Sequence, residues 1–173
     1  MIVIEIILNL FFLFLTTVFV VLLGYGAYSF YAGAPFVPTG KETIAGMLKL
    51  AKLEKGETML DLGSGDGRIV MAAAKTGAHC LGIEINPVLC YWAKLKSCLN
   101  RKKNIQFKRM NFWSYPLNEV EVMFLYFIPD KMERLENKIK SEMKVGSRIV
   151  SYGFTFPNWQ YTAKDGKIYL YIL

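Results

Sequence analysis

The sequence predicts an α/β fold, a mostly parallel sheet of the nucleotide-binding type, preceded by one membrane-spanning helix. Three observations predict it. The apolar run at residues 58–62 ends in the glycine-rich turn Gly63-Ser64-Gly65-Asp66-Gly67, and a helix-forming run opens at Arg68. Strand-length apolar runs then alternate with helical patterns, as in βαβ units. The N-terminal stretch is almost wholly apolar, which divides the chain into an anchor at 1–31 and an α/β domain at 32–173.

Residues 2–23 carry one formal charge, Glu5, and one amide, Asn9. As a helix they span about 33 Å, against a hydrocarbon core of roughly 30 Å. A cleavable signal peptide is the rival reading, but the N-terminal flank has no Lys or Arg, and Ala32-x-Ala34 is followed by Pro35. Tyr25, Tyr28, Phe30 and Tyr31 stand where an interfacial aromatic belt belongs. Lys41, Lys49, Lys52 and Lys55 follow the span, so the positive-inside rule puts the C-terminal domain in the cytoplasm or its organellar equivalent. Residues 33–38 form a short Gly/Pro linker, and Pro35-Phe36-Val37-Pro38-Thr39 stands ready to close over a ligand. Thr39-Gly40-Lys41-Glu42 reads as a capping box, and Ile44, Met47, Leu48 and Ala51 line one helix face.

The glycine turn admits two ligand classes. A dinucleotide fingerprint needs a third glycine where Arg68 stands, and a P-loop needs Gly-Lys-Ser/Thr, which is absent. The pattern here is Asp-x-Gly-x-Gly-x-Gly, and the Asp61 carboxylate suits a cationic ligand end better than a pyrophosphate. Glu84 follows Asp61 by 23 residues, at the end of the second strand (80–85). A carboxylate there can accept two hydrogen bonds from a ribose diol. Asp61, Gly63, Ser64, Gly65, Gly67 and Glu84 together resemble the motifs of class I S-adenosylmethionine-dependent methyltransferases, whose sheet is Rossmann-like. The bland alternative is a turn that only joins strand to helix.

Asn86-Pro87 starts the next helix, with Asn86 as N-cap and Pro87 at the first helical position. Arg101-Lys102-Lys103 reads as a solvated basic turn after it. Residues 105–110 are the third strand. Asn111-Phe112 follows, either as an ordinary turn or where such enzymes place an acid or amide against adenine. Residues 120–127 form a central fourth strand ending in Tyr126-Phe127-Ile128-Pro129-Asp130. Asp130-x-x-Glu133 caps a helix whose apolar face is Met132, Leu135, Ile139 and Met143. Residues 148–154 are the fifth strand, leading into Thr155-Phe156-Pro157-Asn158-Trp159. Residues 161–163 and 167–172 flank Lys164-Asp165-Gly166 as a hairpin.

Composition sets the outer bounds. Hydrophobic residues make up 53% of the chain, and the net charge of +7 points to an acidic surface. No arginine-rich or aromatic-basic alternation supports nucleic acid, so the expected surface is the bilayer, with no nucleic-acid partner. Cys80, Cys90 and Cys98 are read as buried free thiols in a reducing compartment, and His79 as a strand-edge residue. No metal site is expected.

The order of anchor, Pro35-Phe36-Val37-Pro38-Thr39, helix, Asp61-Leu62-Gly63-Ser64-Gly65-Asp66-Gly67-Arg68-Ile69-Val70, Gly82-Ile83-Glu84-Ile85-Asn86-Pro87 and Phe154-Thr155-Phe156-Pro157-Asn158-Trp159 supports a closer resemblance. It is similar to the single-pass membrane protein-lysine methyltransferases of mitochondria that modify the c-ring protein of ATP synthase or the adenine nucleotide translocase, and to their prokaryotic relatives. The resemblance implies a seven-stranded sheet with an antiparallel last strand. It also implies S-adenosyl-L-methionine as cofactor, and a membrane-associated protein lysine as acceptor. If the source is eukaryotic, the location is the mitochondrial inner membrane. Cofactor contacts fall on Asp61, Gly63, Ser64, Gly65, Gly67, Glu84, Asn86, Asn111 and Phe112. Asn111 departs from the acid common in the family, and the short tail implies a reduced terminal hairpin and a more open acceptor site. Tyr126, Phe127, Pro129, Asp130, Phe154, Phe156 and Trp159 are the acceptor-pocket candidates, and no general base is assigned. Two other functions fit the same residues: methylation of a lipid or quinone-like molecule, and a membrane module that binds cofactor or partner without turnover.

Overall fold

A computed structural model describes residues 2–32, 36–100 and 103–173, with side chains 28–32 left aside. Of the sequence expectations, the side chains of Tyr28, Phe30 and Tyr31, the Ala32-x-Ala34-Pro35 segment and the Arg101-Lys102 part of the basic turn lie outside the described residues. The chain divides into two units, Met1–Pro35 and Phe36–Leu173.

The first unit is the helix α1 (Ile2–Ala32). Its Ile2–Ala27 portion is long and apolar enough to cross a membrane. Thr16 and Thr17 donate their hydroxyls to the Leu13 carbonyl at 2.9 and 2.8 Å, so neither presents an unpaired hydroxyl.

The second unit alternates strands and helices in chain order: α2 (Lys41–Ala51), β1 (Thr58–Leu62), α3 (Arg68–Ala73), β2 (His79–Glu84), α4 (Pro87–Leu99), β3 (Ile105–Arg109), β4 (Val122–Leu125), α5 (Met132–Glu142), β5 (Arg148–Tyr152), β6 (Ala163–Asp165) and β7 (Ile168–Ile172). The seven strands form one sheet in the order β3-β2-β1-β4-β5-β7-β6. β3 to β5 are parallel, and β7 runs antiparallel to β5 and β6. This is the mostly parallel, Rossmann-like sheet with the expected antiparallel terminal hairpin, and β6 is only three residues long.

The order reverses at β1, which pairs with β2 on one side and β4 on the other. Ligands in open parallel sheets sit outside the carboxyl ends at such a switch point. β1 and β4 are buried on both faces, and Met59, Leu60 and Val122 through Leu125 number among the core. Full burial of each such side chain stabilises by about 1.5–3 kcal/mol, which holds the central strands rigid beneath the loops that follow them. Arg148 fastens the opposite end, donating to the carbonyls of Ala51 and Lys52 at 2.7 and 2.8 Å and pairing with Glu57.

Two expected caps are absent. Gly40, not Thr39, is the N-cap of α2, and it makes no side-chain cap bond. Thr39 is buried and its carbonyl accepts from Arg68 Nη1 at 3.0 Å, so a tertiary contact overrides the local motif. α5 opens from a 3₁₀ turn at Pro129–Lys131, with Lys131 as N-cap, so Asp130 does not cap it. Cys80 and Cys90 are buried, but Cys98 is exposed, contrary to the expectation for all three thiols.

Candidate functional site

At the end of β1 the chain reverses through glycines with positive φ: 75° at Gly63, 54° at Gly65 and 78° at Gly67. L-residues with a Cβ avoid this region. The N–H groups of Gly63 and Ser64 both donate to the Ile83 carbonyl at 2.9 Å, tying the turn to β2. Gly65 is tight for a second reason. A Cβ built there would lie 2.4 Å from the Phe36 ring, so that ring rests directly on the turn. On its other side, a Cβ on Gly82 would meet Phe107 at 2.6 Å and Ser64 Oγ at 2.7 Å. Phe107 of β3 therefore plugs the floor of the turn.

Glu84 holds this turn in place. Gly65 N–H donates to its Oε2 at 2.8 Å, and Asn86 N–H donates to its Oε1 at 2.7 Å. Burial raises the Glu84 pKa, against the N–H groups of Asn86, Gly65 and Ile85, which lower it. These N–H groups do not exhaust its roughly four acceptor positions, so it remains able to accept from a ribose hydroxyl.

The two aspartates of the motif are set apart electrostatically. Burial pushes the Asp61 carboxyl up to about 8, with the charges of Glu84 and Asp66 adding to the effect. Asp66 is also pushed up by burial, but hydrogen bonds from Arg68 and Lys96, with their charges, outweigh that and hold it at about 2. Arg68 Nε lies 2.9 Å from Oδ1 and Lys96 Nζ 2.7 Å from Oδ2. Near neutral pH Asp66 is ionised and paired, whereas Asp61 is largely protonated. Asp61 Oδ2 and Ser64 Oγ are buried without a hydrogen-bond partner. Such atoms carry the full desolvation penalty, about 1–3 kcal/mol each. A ligand bringing an ammonium and further polar groups to this turn would meet that need, so the residues fit S-adenosylmethionine.

The other expected cofactor contacts divide. Asn86 caps α4, its side-chain oxygen accepting from Val88 and Leu89 N–H at 2.9 and 3.3 Å. Asn111 is exposed and its Oδ1 accepts from Trp113 N–H at 3.1 Å. Phe112 is buried, packed on Trp113 at 4.5 Å and Phe127 at 5.1 Å between centroids.

The aromatic candidates do not form one pocket. Phe127 is buried in the Phe112 cluster. Phe156 is buried and stacked on Trp159 at 5.4 Å, edge-on to Tyr171 of β7 at 4.8 Å. Both rings are enclosed by these aromatic neighbours. Tyr126 stands with Phe154 at the carboxyl edge, their rings 6.5 Å apart. Tyr152, the last residue of β5, joins them at 4.9 Å from Tyr126. Pro129 and Asp130 lie exposed on the 3₁₀ turn.

Two residues of this edge escaped the sequence reading. Tyr152 had a signal, since it ends the strand next to the one preceding Tyr126. Glu136 had a clearer one, an acid on the apolar face of α5, four residues after Met132. It is 2% exposed. Its Oε1 accepts from Lys140 Nζ at 2.6 Å and its Oε2 from Asn158 N–H at 3.1 Å. It thereby pins the loop that carries Phe156 and Trp159.

Known proteins share this arrangement. The family model of the ANTKMT methyltransferase domain matches residues 61–163. The chain is 31% identical over 126 residues to the ATP synthase c-subunit lysine N-methyltransferase of Xenopus laevis, covering 72% of this chain and 55% of that protein. It is 30% identical over 161 residues to a protein-lysine N-methyltransferase of Saccharolobus islandicus, covering 84% of this chain and 97% of the relative. The crystal structure of an RNA methyltransferase from Salinibacter ruber in complex with S-adenosyl-L-homocysteine matches with a TM-score of 0.75 and 31% identity, over 79% of this chain and 93% of that one. The chain thus spans about half the length of the Xenopus laevis relative and nearly all of the archaeal one. From the glycine turn and its paired carboxylates to the terminal hairpin, the chain belongs to the ANTKMT methyltransferase domain family.

Proposed function

We propose that the chain is a membrane-anchored methyltransferase that moves a methyl group from S-adenosylmethionine to a lysine side chain of a membrane-associated protein. The single observation that carries the cofactor assignment is the buried, unpartnered Oδ2 of Asp61 beside the glycine turn. When bound, S-adenosylmethionine supplies an electrophilic methyl group on a sulfonium.

The rest is the work of the chain's own residues. Asp61 gives up its proton and holds an ammonium at Oδ2. Ser64 Oγ takes a further polar group of the ligand, and the bare backbone of Gly63, Gly65 and Gly67 lets the ligand lie against the main chain. Glu84, already oriented by Gly65 and Asn86, accepts from the ribose hydroxyls. Asn111 retains one lone pair and both amide protons for the adenine. At the carboxyl ends of β4 and β5, Tyr126, Tyr152 and Phe154 offer aromatic faces to an incoming amine. Such a rim lowers the amine pKa by desolvation and attracts its methylated, cationic forms. Positioning supplies most of the catalysis, because the donor is already activated.

A lysine acceptor is favoured by the two relatives named as lysine methyltransferases. Anchoring is favoured by the length and composition of α1, and the lysines after it favour a cytoplasmic or matrix-side domain. A second reading, an RNA acceptor, is favoured by the name of the Salinibacter ruber structure. The test incubates the solubilised full-length chain with methyl-labelled S-adenosylmethionine, native membranes and total RNA, then separates protein, lipid and RNA. Label on protein lysine supports the proposal. Label in lipid or RNA replaces the acceptor class, and label nowhere, with cofactor bound, leaves the non-catalytic reading.

A further inference from the structure

α4 is apolar on both faces. One face, Cys90, Ala93 and Ser97, is buried and packs through small side chains on the sheet. The opposite stripe carries Val88, Tyr91, Trp92, Leu95 and Leu99 at i, i+3, i+4, i+7 and i+11, with Tyr91 71%, Trp92 51% and Leu99 75% exposed. A helix on the surface of a soluble domain presents a polar face to water. Here the outward face holds large side chains, and a contiguous exposed apolar patch marks an interaction site.

We propose that this face of α4 is a second membrane-contact element, which lies in the interface of an anionic bilayer. Three observations choose that occupant. The stripe mixes aliphatic residues with one Tyr and one Trp, the pair suited to the level of the lipid headgroups. α4 contains no Asp or Glu but has Lys94 besides the Lys96 paired with Asp66, and the sequence continues into Arg101-Lys102-Lys103, so the charge complements an anionic surface. The helix has 13 residues, about 20 Å at 1.5 Å each, too short to cross a membrane and suited to lying along it. Lys96 illustrates the arrangement, with its Nζ 5.6 Å from the Trp92 ring centre while it pairs with Asp66 of the glycine turn. The consequence is orientation. α4 begins immediately after Glu84, at the carboxyl edge of the sheet, so seating its first turns on the lipid holds that edge at the membrane surface. The inference does not depend on methyl transfer; it rests on the membrane reading of α1 only for the choice of a bilayer as occupant.

Cys98 provides a probe already in place. It is the exposed one of the three cysteines and lies three residues after Leu95 on the same stripe. The full-length chain carrying a nitroxide on Cys98 is reconstituted into phosphatidylcholine vesicles with about one third phosphatidylglycerol. Power saturation then compares collisions with oxygen and with a water-soluble nickel chelate. The expected result is a label shielded from nickel and open to oxygen. Shielding is reduced in vesicles without phosphatidylglycerol, and is lost in the double variant Trp92→Ser, Leu95→Ser, which binds S-adenosylmethionine as the parent does. Equal nickel access in parent and double variant overturns the proposal. So does spin–spin broadening that grows with protein density, which marks a second copy as the occupant, and so does shielding that arises only when an acceptor protein is added. Retention after carbonate washing reports on α1 alone, so the two membrane elements can fail separately.

Discussion

Replacing Asp61 with Asn should make the free chain more stable while destroying its ability to bind cofactor. Asp61 is fully buried and its carboxyl is pushed up to about 8 from an ordinary 3.8. A carboxyl that binds its proton more tightly in the folded chain favours folding fully below pH 3.8. That contribution declines as pH rises and is gone above about 8. At 1.36 kcal/mol per pH unit, the decline between 3.8 and 7 amounts to ~4 kcal/mol. Asn keeps the shape and never ionises, so its advantage over Asp should be ~1 kcal/mol at pH 4.5 and ~4 kcal/mol at pH 7. For a chain of this size that is a rise of roughly 10 °C in Tm at pH 7. Melting of the detergent-solubilised proteins at both pH values reads the difference. Calorimetry reads the functional half: S-adenosylmethionine binding to the parent at pH 7 should release close to one proton, seen as a heat that depends on the buffer. The Asn variant should show neither that release nor measurable binding. A stability difference that does not change with pH, together with proton-neutral binding by the parent, would refute the reasoning.

Glu84→Ala removes the acceptor for Gly65 and Asn86 N–H as well as for a ribose, and should weaken cofactor binding by about 1–3 kcal/mol in a folded protein. Unchanged affinity on titration would remove Glu84 from the site. Gly65→Ala puts a Cβ against Phe36 at a φ of 54°, so it should destabilise by about 1–2 kcal/mol for the backbone alone. The double variant with Phe36→Ala should recover the steric part but not the backbone part, a coupling that a denaturation cycle measures. Glu136→Ala leaves Asn158 N–H and Lys140 without their carboxylate and should cost about 1–3 kcal/mol, because Lys140 is 40% exposed and water can take over its charge. If enough protein folds, it should raise KM for the acceptor with cofactor Kd unchanged, and Glu136→Gln should recover part of the loss.

What could be read in the sequence was local or strictly periodic. The bounds of β1, the turn of alternate glycines, the Asn86 cap and the Pro87 start all follow from neighbouring residues, and the structure has each in place. What could not be read depends on which strand lies beside which. β7 inserts between β5 and β6, so Tyr171 draws Phe156 and Trp159 to that side, away from Tyr126. The same neighbourhood effect brings Tyr152 to Tyr126. Thr39 and Asp130 carried sound capping patterns, yet Arg68 claims the Thr39 carbonyl and a 3₁₀ turn separates Asp130 from α5. The opposed states of Asp61 and Asp66, five residues apart, arise from Lys96 and Arg68 reaching the Asp66 carboxylate while burial dominates at Asp61, whose Oδ2 has no partner.

The most direct test of methyl transfer to a membrane-protein lysine is quantitative mass spectrometry of lysine methylation in membranes from native cells with and without the gene. One methyl-lysine, or very few, on a membrane-associated protein should disappear with the gene. They return with the parent chain and not with Asp61→Asn. A lysine-methylation profile identical in both membranes would contradict it.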